Sequence, residues 1–276
     1  MLGVSDPFSV VAKLVIEKVG MEFTSSAVKR LYAVRVITPD FVNVHSNSPL
    51  TLPDEFCKND IDTSRWKVNK KFLLNNVHLK MAELIFSSGA ANLSRNTSAR
   101  MLLIGLGGGT LNGFLHHNFP KMNITVVEIS DQMVYMARKW FDLKTNDRHQ
   151  VVITDGVKYI EDQIRKGTKY DVVAVDACDS NPSLKRKLVC PLDVFLKENV
   201  IKNLTRLITS RGILIISTFT VNMTDVEVHA LLETKFSNFI KYCNIAKKTF
   251  YCTHHQPEAT KSVDLLDFVK NVPLKI

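Results

Sequence analysis

Met101-Leu-Leu-Ile-Gly-Leu-Gly-Gly-Gly109 joins a short, wholly apolar run to a turn made almost entirely of glycine. Such a run is typical of a parallel strand buried on both faces, and residues 110–118 can follow it as a helix that ends before Pro120. Three consecutive glycines cost conformational entropy that an ordinary turn need not incur. They also let backbone N–H groups and the helix N-terminus approach a ligand closely. The stretch therefore predicts a ligand-binding turn, with a tight turn that binds nothing as the alternative.

The alternation of strand and helix continues beyond this stretch. The pattern predicts strands over 123–128, 150–154, 170–176 and 212–217, and helices over 131–141, 157–164 and 192–207. Repeated βα units of this length imply a twisted parallel sheet with helices on both faces. Thr224-Asp-Val-Glu227 is a capping box that starts a further helix, and only Ala246-Lys247-Lys248 separates two last strands near 239–245 and 249–254. So short a connection forces an antiparallel hairpin.

The first 99 residues do not show this alternation of strands and helices. Residues 31–37 and 41–45 flank Thr38-Pro39-Asp40, a turn signal, and so predict a β-hairpin. Residues 49–64 indicate loop, and 71–87 carry an amphipathic stripe that predicts a helix lying on the sheet. We therefore expect an N-terminal extension with a β-hairpin over 1–69, followed by one catalytic domain over 70–276.

Composition narrows the class of protein. The chain of 276 residues has a formal net charge of +9, which suits an acidic partner such as nucleic acid. Its basic residues are scattered, with one tight run at Lys185-Arg186-Lys187, so a solvated lysine-rich surface is the alternative. The uncharged span between Arg100 and Lys121 is rich in glycine and does not predict a membrane helix.

Cysteine and histidine patterns predict neither a metal site nor a disulfide framework. The five cysteines are unevenly spaced and form no C-x-x-C pair, so we expect free thiols in a reducing compartment, the cytoplasm. His116-His117 and His254-His255 are adjacent pairs whose side chains do not converge, and no metal is predicted there.

Acidic residues close three of the predicted strands. Glu128 lies about 20 residues after the glycine turn, where a carboxylate can accept both hydroxyls of an adenosine ribose; a surface glutamate is the alternative. Asp155, followed by Gly156, can accept a hydrogen bond from an adenine amino group or can cap the next helix. Asp176 and Asp179 follow the fourth strand and are the catalytic candidates, although each could instead cap a turn. Because parallel strands end at one edge, we expect these acids to line one pocket.

At these positions the chain resembles class I S-adenosylmethionine-dependent methyltransferases of the spermidine-synthase-like branch. The resemblance is carried by Leu102-Leu-Ile-Gly-Leu-Gly-Gly-Gly109, Val127-Glu128-Ile129, Asp155-Gly156, Tyr170-Asp-Val-Val and Asp176-x-x-Asp179, with His78-Leu-Lys80 ahead of them. It implies an α/β, Rossmann-like sheet of seven strands, five parallel and two in a C-terminal antiparallel hairpin. It also implies that S-adenosyl-L-methionine binds at Gly105, Leu106, Gly107, Gly109, Glu128, Ile129, Asp155, Gly156 and Asp176.

Within this branch the chain is similar to the methyltransferases of translation elongation factor 1-alpha. The similarity implies methylation of an amine of that protein, either the N-terminal α-amine or a lysine. Asp176 and Asp179 would orient the amine and accept or relay its proton. Aminopropyltransferases carry an aspartate at the position that matches Gly108, so polyamine synthesis is the weaker alternative. A methyltransferase-fold protein that binds without turnover is the other.

Overall fold

A computed structural model describes residues 9–19, 28–38, 46–53, 62–179, 188–256 and 264–271. The predicted strand over 41–45 and the basic run over 185–187 lie outside these ranges. The strands are β1 (Ser9–Val19), β2 (Val28–Thr38), β3 (Ser46–Leu50), β4 (Arg100–Ile104), β5 (Asn123–Glu128), β6 (His149–Ile153), β7 (Tyr170–Val175), β8 (Leu188–Cys190), β9 (Ile208–Ser217), β10 (Phe219–Thr220), β11 (Tyr242–Ala246) and β12 (Thr249–Thr253). The helices are α1 (Asn76–Ser87), α2 (Thr110–Asn118), α3 (Asp131–Trp140), α4 (Gly156–Arg165), α5 (Glu198–Leu207), α6 (Asp225–Phe236) and α7 (Leu265–Asn271), with a 3-10 helix at Asp193–Leu196.

Seven strands form the central sheet in the order β11-β12-β9-β7-β4-β5-β6. The five strands from β9 to β6 are parallel, and β12 and β11 add an antiparallel hairpin at one edge. The predicted α/β fold class is therefore confirmed. From β4 the chain first adds strands on one side and later crosses to β7 on the other, so the strand order reverses between β4 and β7. In open α/β sheets, ligands bind beyond the carboxyl ends of the strands at such a point.

The core lies on both faces of this sheet because side chains of a strand alternate between faces. Met101 and Leu103 pack with α1, α2 and α3, whereas Leu102 and Ile104 pack with α4, α5 and α6. All four are 3% exposed or less, and burying one side chain of this size stabilises the fold by about 2 kcal/mol.

The span from Arg100 to Lys121, uncharged between those two residues, contains strand β4, the glycine turn and helix α2. Among the described residues, no helix is both long and apolar enough to cross a membrane.

Capping side chains set the starts of three helices, α3, α4 and α6, at or within one residue of the predicted positions. The Ser130 side chain caps α3, and the Thr224 capping box forms both of its hydrogen bonds. The helix predicted over 71–87 begins later, because the Asn75 side chain accepts hydrogen bonds from the first N–H groups of α1. The single helix predicted over 192–207 is wrong: Lys197 has extended backbone angles, with ψ of 140°, and separates the 3-10 helix from α5. This break lets the adjacent side chains of Phe195 and Leu196 both reach the core.

The N-terminal part contains the predicted β-hairpin, formed by β1 and β2, within an antiparallel sheet of three described strands. The strand predicted over 31–37 belongs to β2, and its described partners are β1 on one side and β3 on the other. Pro49, predicted to be in a loop, stands in β3. Because β3 is at the edge of its sheet, a proline there removes no hydrogen bond from a central ladder.

This small sheet packs against the glycine turn and α3. Arg35 of β2 is 3% exposed, and its guanidinium donates to the backbone carbonyls of Thr63 and Trp140. Burial lowers the pKa of Arg35, although nearby Asp142 opposes that effect. Ser46 of β3 accepts a 3.1 Å hydrogen bond from the backbone N–H of Gly108. The extension is thereby joined directly to the turn that the sequence marks as a ligand site.

Two disulfides contradict the prediction of free thiols. Cys178 is bonded to Cys190 and Cys243 to Cys252, with Cα–Cα distances of 4.4 and 4.2 Å. Sequence spacing could not reveal these pairs, because pairing depends on register. Cys243 and Cys252 stand directly opposite each other in β11 and β12, and β8 brings Cys190 beside the loop that follows β7. Cys57 lies outside the described residues.

A buried histidine links stability to pH. His149 is 1% exposed, its Nδ1 lies 2.8 Å from the carbonyl of Lys144, and its Nε2 lies 2.9 Å from the amide nitrogen of Asn112. Burial, with a smaller contribution from the neighbouring charge of His116, lowers the pKa of His149 to about 4 from an ordinary value of 6.5. The folded state therefore disfavours protonation of this ring.

We expect the free energy of unfolding to fall as pH is lowered from about 6.5 to about 4. In that window the unfolded chain binds a proton at residue 149 that the folded chain does not, so acidification favours unfolding, by up to about 3 kcal/mol. Urea unfolding at several pH values measures the slope. His149→Gln keeps an acceptor for Asn112 and should flatten the slope. Equal slopes in wild type and His149→Gln would contradict the assignment.

Candidate active site

Gly105 brings the ends of β4 and β7 together. It has a φ of +100°, and a Cβ there would lie 2.4 Å from the carbonyl oxygen of Asp176. The Asp176 N–H donates to the carbonyl of Ile104 at 2.8 Å. Gly109, with a φ of +74°, is the N-cap of α2. Glycine is thus required at 105 by both backbone angle and space, and the turn, Asp176 and the start of α2 share one edge of the sheet.

Glu128 lies directly beside this turn. Its two carboxylate oxygens accept hydrogen bonds, each of 2.9 Å, from the backbone N–H groups of Leu106 and Ser130. An ionised carboxylate offers about four acceptor positions, so two remain for a ligand. Leu106 contributes only its backbone, because its side chain is buried in the core. Ile129, by contrast, is 71% exposed and presents an apolar surface at the same edge.

Asp155 and Gly156 lie at the end of the next strand. One carboxylate oxygen of Asp155 accepts from the N–H of Lys158 at 2.9 Å, which is the helix-cap alternative that the sequence left open. A Cβ at Gly156 would lie 2.9 Å from a side-chain methyl of Ile104. Gly156 therefore lets α4 start against β4. Asp155 remains exposed at the sheet edge, on the far side of Glu128 from Asp176.

Gly107 and Gly108 face the N-terminal sheet. A Cβ at Gly107, whose φ is +53°, would lie 3.5 Å from the Cβ of Ser46. At Gly108 it would lie 2.8 Å from the ring of Phe141 and 2.9 Å from the Oγ of Ser46. Position 108 therefore has no room for a side chain. The aspartate that aminopropyltransferases carry at the matching position could not be accommodated without displacing Ser46 or Phe141.

Asp176 forms a polar cluster with two residues from other elements. The Nε2 of His78, on α1, lies 2.9 Å from Oδ2 of Asp176, and the Ser217 side chain at the end of β9 also forms a hydrogen bond with the carboxylate. The side chains of His78 and Asp176 are only 12% and 22% exposed. Burial alone would raise the pKa of Asp176, but the hydrogen bond and charge of His78, with the bond from Ser217, hold it below its usual value. The carboxylate is therefore ionised at neutral pH.

The imidazole of His78 has one nitrogen to spare. Because an ionised carboxylate only accepts hydrogen bonds, Nε2 of His78 is the donor to Asp176. Nδ1 is buried and has no hydrogen-bond partner among the described residues. A buried polar atom left without a partner costs about 1–3 kcal/mol.

Asp179 shares the loop that carries Asp176. Its backbone N–H donates to the carbonyl of Val189 at 2.9 Å, and the N–H of Leu192 donates to the carbonyl of Ala177 at 2.9 Å. These two hydrogen bonds tie the loop to β8 and the residues that follow it. The structure thus brings Asp179 to the same loop as Asp176, at the predicted edge.

His78 and Ser217 are the two members of the cluster that sequence reasoning missed. Ser217 is the polar residue that closes a predicted strand, which is the signal that identified Glu128, Asp155 and Asp176. The same search for a polar residue at the end of a strand, applied to the fifth parallel strand, identifies Ser217. His78 is a polar residue beside the apolar stripe of α1, and its partner is revealed only by the packing of α1 on the sheet.

The sheet order and this polar edge define an α/β protein with the class I methyltransferase fold. The family model of the spermine/spermidine synthase domain matches residues 81–263, and the chain belongs to that family.

Two curated relatives are named eEF1A lysine and N-terminal methyltransferase. The human protein is 34% identical over 120 residues, which are 42% of this chain and 17% of the relative. The Xenopus laevis protein is 26% identical over 215 residues, covering 76% of this chain and 31% of the relative. The chain therefore spans less than a third of the length of either protein.

A similar solved structure is human methyltransferase-like protein 13 in complex with SAH. It has a TM-score of 0.56 and 25% sequence identity, and the match covers 70% of this chain and 87% of that chain. The match confirms that the sheet and its flanking helices have a methyltransferase architecture.

Proposed function

We propose that the chain is an S-adenosylmethionine-dependent N-methyltransferase that modifies an amine of elongation factor 1-alpha in the cytoplasm. The observation that carries the proposal is the ionised Asp176 carboxylate, held by His78 and Ser217 where the strand order reverses. The names of the relatives support the same reaction and acceptor protein. The division into an extension over 1–69 and a catalytic domain over 70–276 is part of this proposal.

The edge of the sheet fits S-adenosyl-L-methionine. Glu128 has two acceptor positions for ribose hydroxyls, and exposed Ile129 offers an apolar surface to adenine. Gly105 and Asp176 lie together where β4 and β7 end, and we assign the methionine end of the cofactor to this place. Asp155 would accept from the adenine amino group with the carboxylate oxygen not used by the helix cap. When bound, the cofactor supplies a methyl group activated on a sulfonium.

The acceptor amine must be neutral, because methyl transfer uses the nitrogen lone pair. An α-amine with a pKa of about 7.7–8.0 is deprotonated at neutral pH for roughly 1 kcal/mol, whereas a lysine near 10.4 costs about 4–5 kcal/mol. An α-amine therefore demands little of a general base. Positioning the amine can supply much of the remaining rate enhancement.

Asp176 and His78 have separate tasks in this scheme. The Asp176 carboxylate accepts a hydrogen bond from the amine and orients its lone pair, with Asp179 on the same loop as a second acceptor. The amine nitrogen loses one proton as it gains the methyl group. Asp176, with Asp179 on the same loop, accepts or relays that proton, and His78 holds the Asp176 carboxylate in place through its 2.9 Å contact.

Glu128→Ala is expected to weaken binding of S-adenosylmethionine by about 10- to 100-fold, because charge-assisted hydrogen bonds to ribose are lost. Isothermal titration measures the affinity directly. Glu198→Ala, at an exposed position on α5, is the matched control and should bind like wild type. Unchanged affinity in Glu128→Ala, or no binding by wild type, would favour a methyltransferase-fold protein without turnover.

The reaction itself is tested with labelled S-adenosylmethionine and purified elongation factor 1-alpha, followed by mass-spectrometric location of the label. Label on the N-terminal residue supports the α-amine, and label on a lysine supports the other acceptor. A matched substrate with an acetylated N-terminus should lose only the α-amine signal. If no methyl is transferred but a diamine is converted with decarboxylated S-adenosylmethionine, the chain is an aminopropyltransferase.

A further inference from the structure

The Cys178–Cys190 disulfide closes the loop that follows Asp176. Cys178 is two residues beyond Asp176, and its Sγ lies 3.9 Å from Oδ1 of that carboxylate. Cys190 ends β8, the strand that receives the backbone hydrogen bond of Asp179. The covalent bond is therefore one of the ties that hold residues 177–179 in place. Among the described residues, the hydrogen bonds to Val189 and from Leu192 are further ties.

The two sulfurs of this bond differ in access. Cys178 is partly exposed, whereas Cys190 is 5% exposed and belongs to the buried part of β8. An attacking thiolate must reach a sulfur along the S–S axis, so Cys178 is the accessible target. The second disulfide offers a comparison in the same chain: Cys243–Cys252 joins β11 to β12, at the edge of the sheet farthest from Glu128.

We propose that Cys178–Cys190 is a reversible redox site at which dithiol reductants act on the loop beside Asp176, the acceptor side of the candidate site. A reductant thiolate attacks Cys178, the S–S bond breaks, and Cys190 leaves and takes a proton. The second thiol of the reductant then displaces Cys178. The disulfide gains two electrons and two protons, and the dithiol becomes a disulfide. In the reducing cytoplasm proposed above, disulfides are mostly transient and redox-sensing, which fits this assignment.

Reduction should affect acceptor binding more than cofactor binding. Asp176 keeps its own supports, namely the hydrogen bond to Ile104, the contact with His78 and the close packing of Gly105. Residues 177–179 lose their covalent tie to β8, and Asp179 lies within them. This consequence rests on the proposed methyl transfer, whereas the redox site itself does not.

The test first measures the thiols and the loop without any activity assay. Protein equilibrated with graded mixtures of reduced and oxidised dithiothreitol is alkylated, and the modified cysteines are located by mass spectrometry. We expect Cys178 and Cys190 to be alkylated together. Amide hydrogen exchange of peptides covering 176–179 and 188–192 should rise at least fivefold on reduction. Cys178→Ser should show the fast exchange without reductant, and Cys243→Ser should exchange like wild type there.

Activity is then compared in the oxidised and reduced forms. We expect the KM for the acceptor to rise at least fivefold on reduction in wild type and in Cys243→Ser, and to be high in both conditions in Cys178→Ser. The Kd for S-adenosylmethionine should stay within about twofold. Two results would overturn the proposal. One is alkylation of Cys178 in protein not treated with a reductant, and the other is amide hydrogen exchange of the loop peptides that does not change on reduction. Absence of methyl transfer alongside the expected thiol and exchange results would instead count against the proposed function.

Discussion

Asp176→Asn is expected to lower kcat for methylation of an α-amine by about 10²- to 10³-fold. The amide preserves the size of the side chain but removes the negative charge that would orient the amine and that accepts the hydrogen bond of His78. Steady-state kinetics with a peptide that begins at a free α-amine measures the effect. Asp193→Asn, at an exposed position in the 3-10 helix, is the matched control.

The pH profile separates this role from a structural one. Because the pKa of Asp176 lies below its usual value, its carboxylate stays ionised across any practical assay range, and activity should rise with pH as the amine deprotonates near 8. Asp176→Asn should lower the whole curve without moving its midpoint. Wild-type turnover in Asp176→Asn would remove Asp176 from the mechanism.

Gly105→Ala is expected to destabilise the fold by more than about 3 kcal/mol. The new methyl group would need to lie 2.4 Å from the carbonyl oxygen of Asp176, on a backbone with a φ of +100°. Relief requires β4 and β7 to separate, and both are central strands whose side chains fill the core. Urea unfolding at pH 7.5, far above the His149 transition, measures the loss.

Gly167→Ala separates strain from contact. Gly167 has a φ of +66°, but a methyl group added there would meet nothing within 4 Å, so only the left-handed backbone is penalised, by about 1 kcal/mol. Both variants replace a glycine of positive φ by alanine. They differ because only the methyl group at position 105 would meet another atom, the carbonyl oxygen of Asp176. Equal losses would show that the close approach of Gly105 to Asp176 does not limit stability. Failure of Gly105→Ala alone to yield folded protein would agree with the expectation.

The central sheet could be predicted from sequence because its signals are local. The apolar run before Gly105, the cap at Ser130 and the capping box at Thr224 each specify an element within a few residues. Interactions between distant segments could not be predicted in the same way. The partners of β2, the break at Lys197 and both disulfides depend on register and packing that no short window contains.

The candidate site divides along the same line. Glu128 and Asp176 could be found because a rule about strand ends places polar residues at one edge. That rule does not describe their partners: both oxygens of Glu128 already serve the backbone, and Asp155 serves as a helix cap. His78 comes from a helix almost a hundred residues before Asp176, so its contact emerges only when α1 packs on the sheet.

The hydrogen bond from the Gly108 N–H to Ser46 means that the N-terminal extension and the glycine turn must fit each other. A hybrid that takes its first 69 residues from one family member and the remainder from another would set a foreign strand against this turn. If the family member that supplies the glycine turn has a side chain at position 108, that side chain and Ser46 would occupy the same space. Chimeras in this family therefore need to exchange residues 46–48 and 108–110 together.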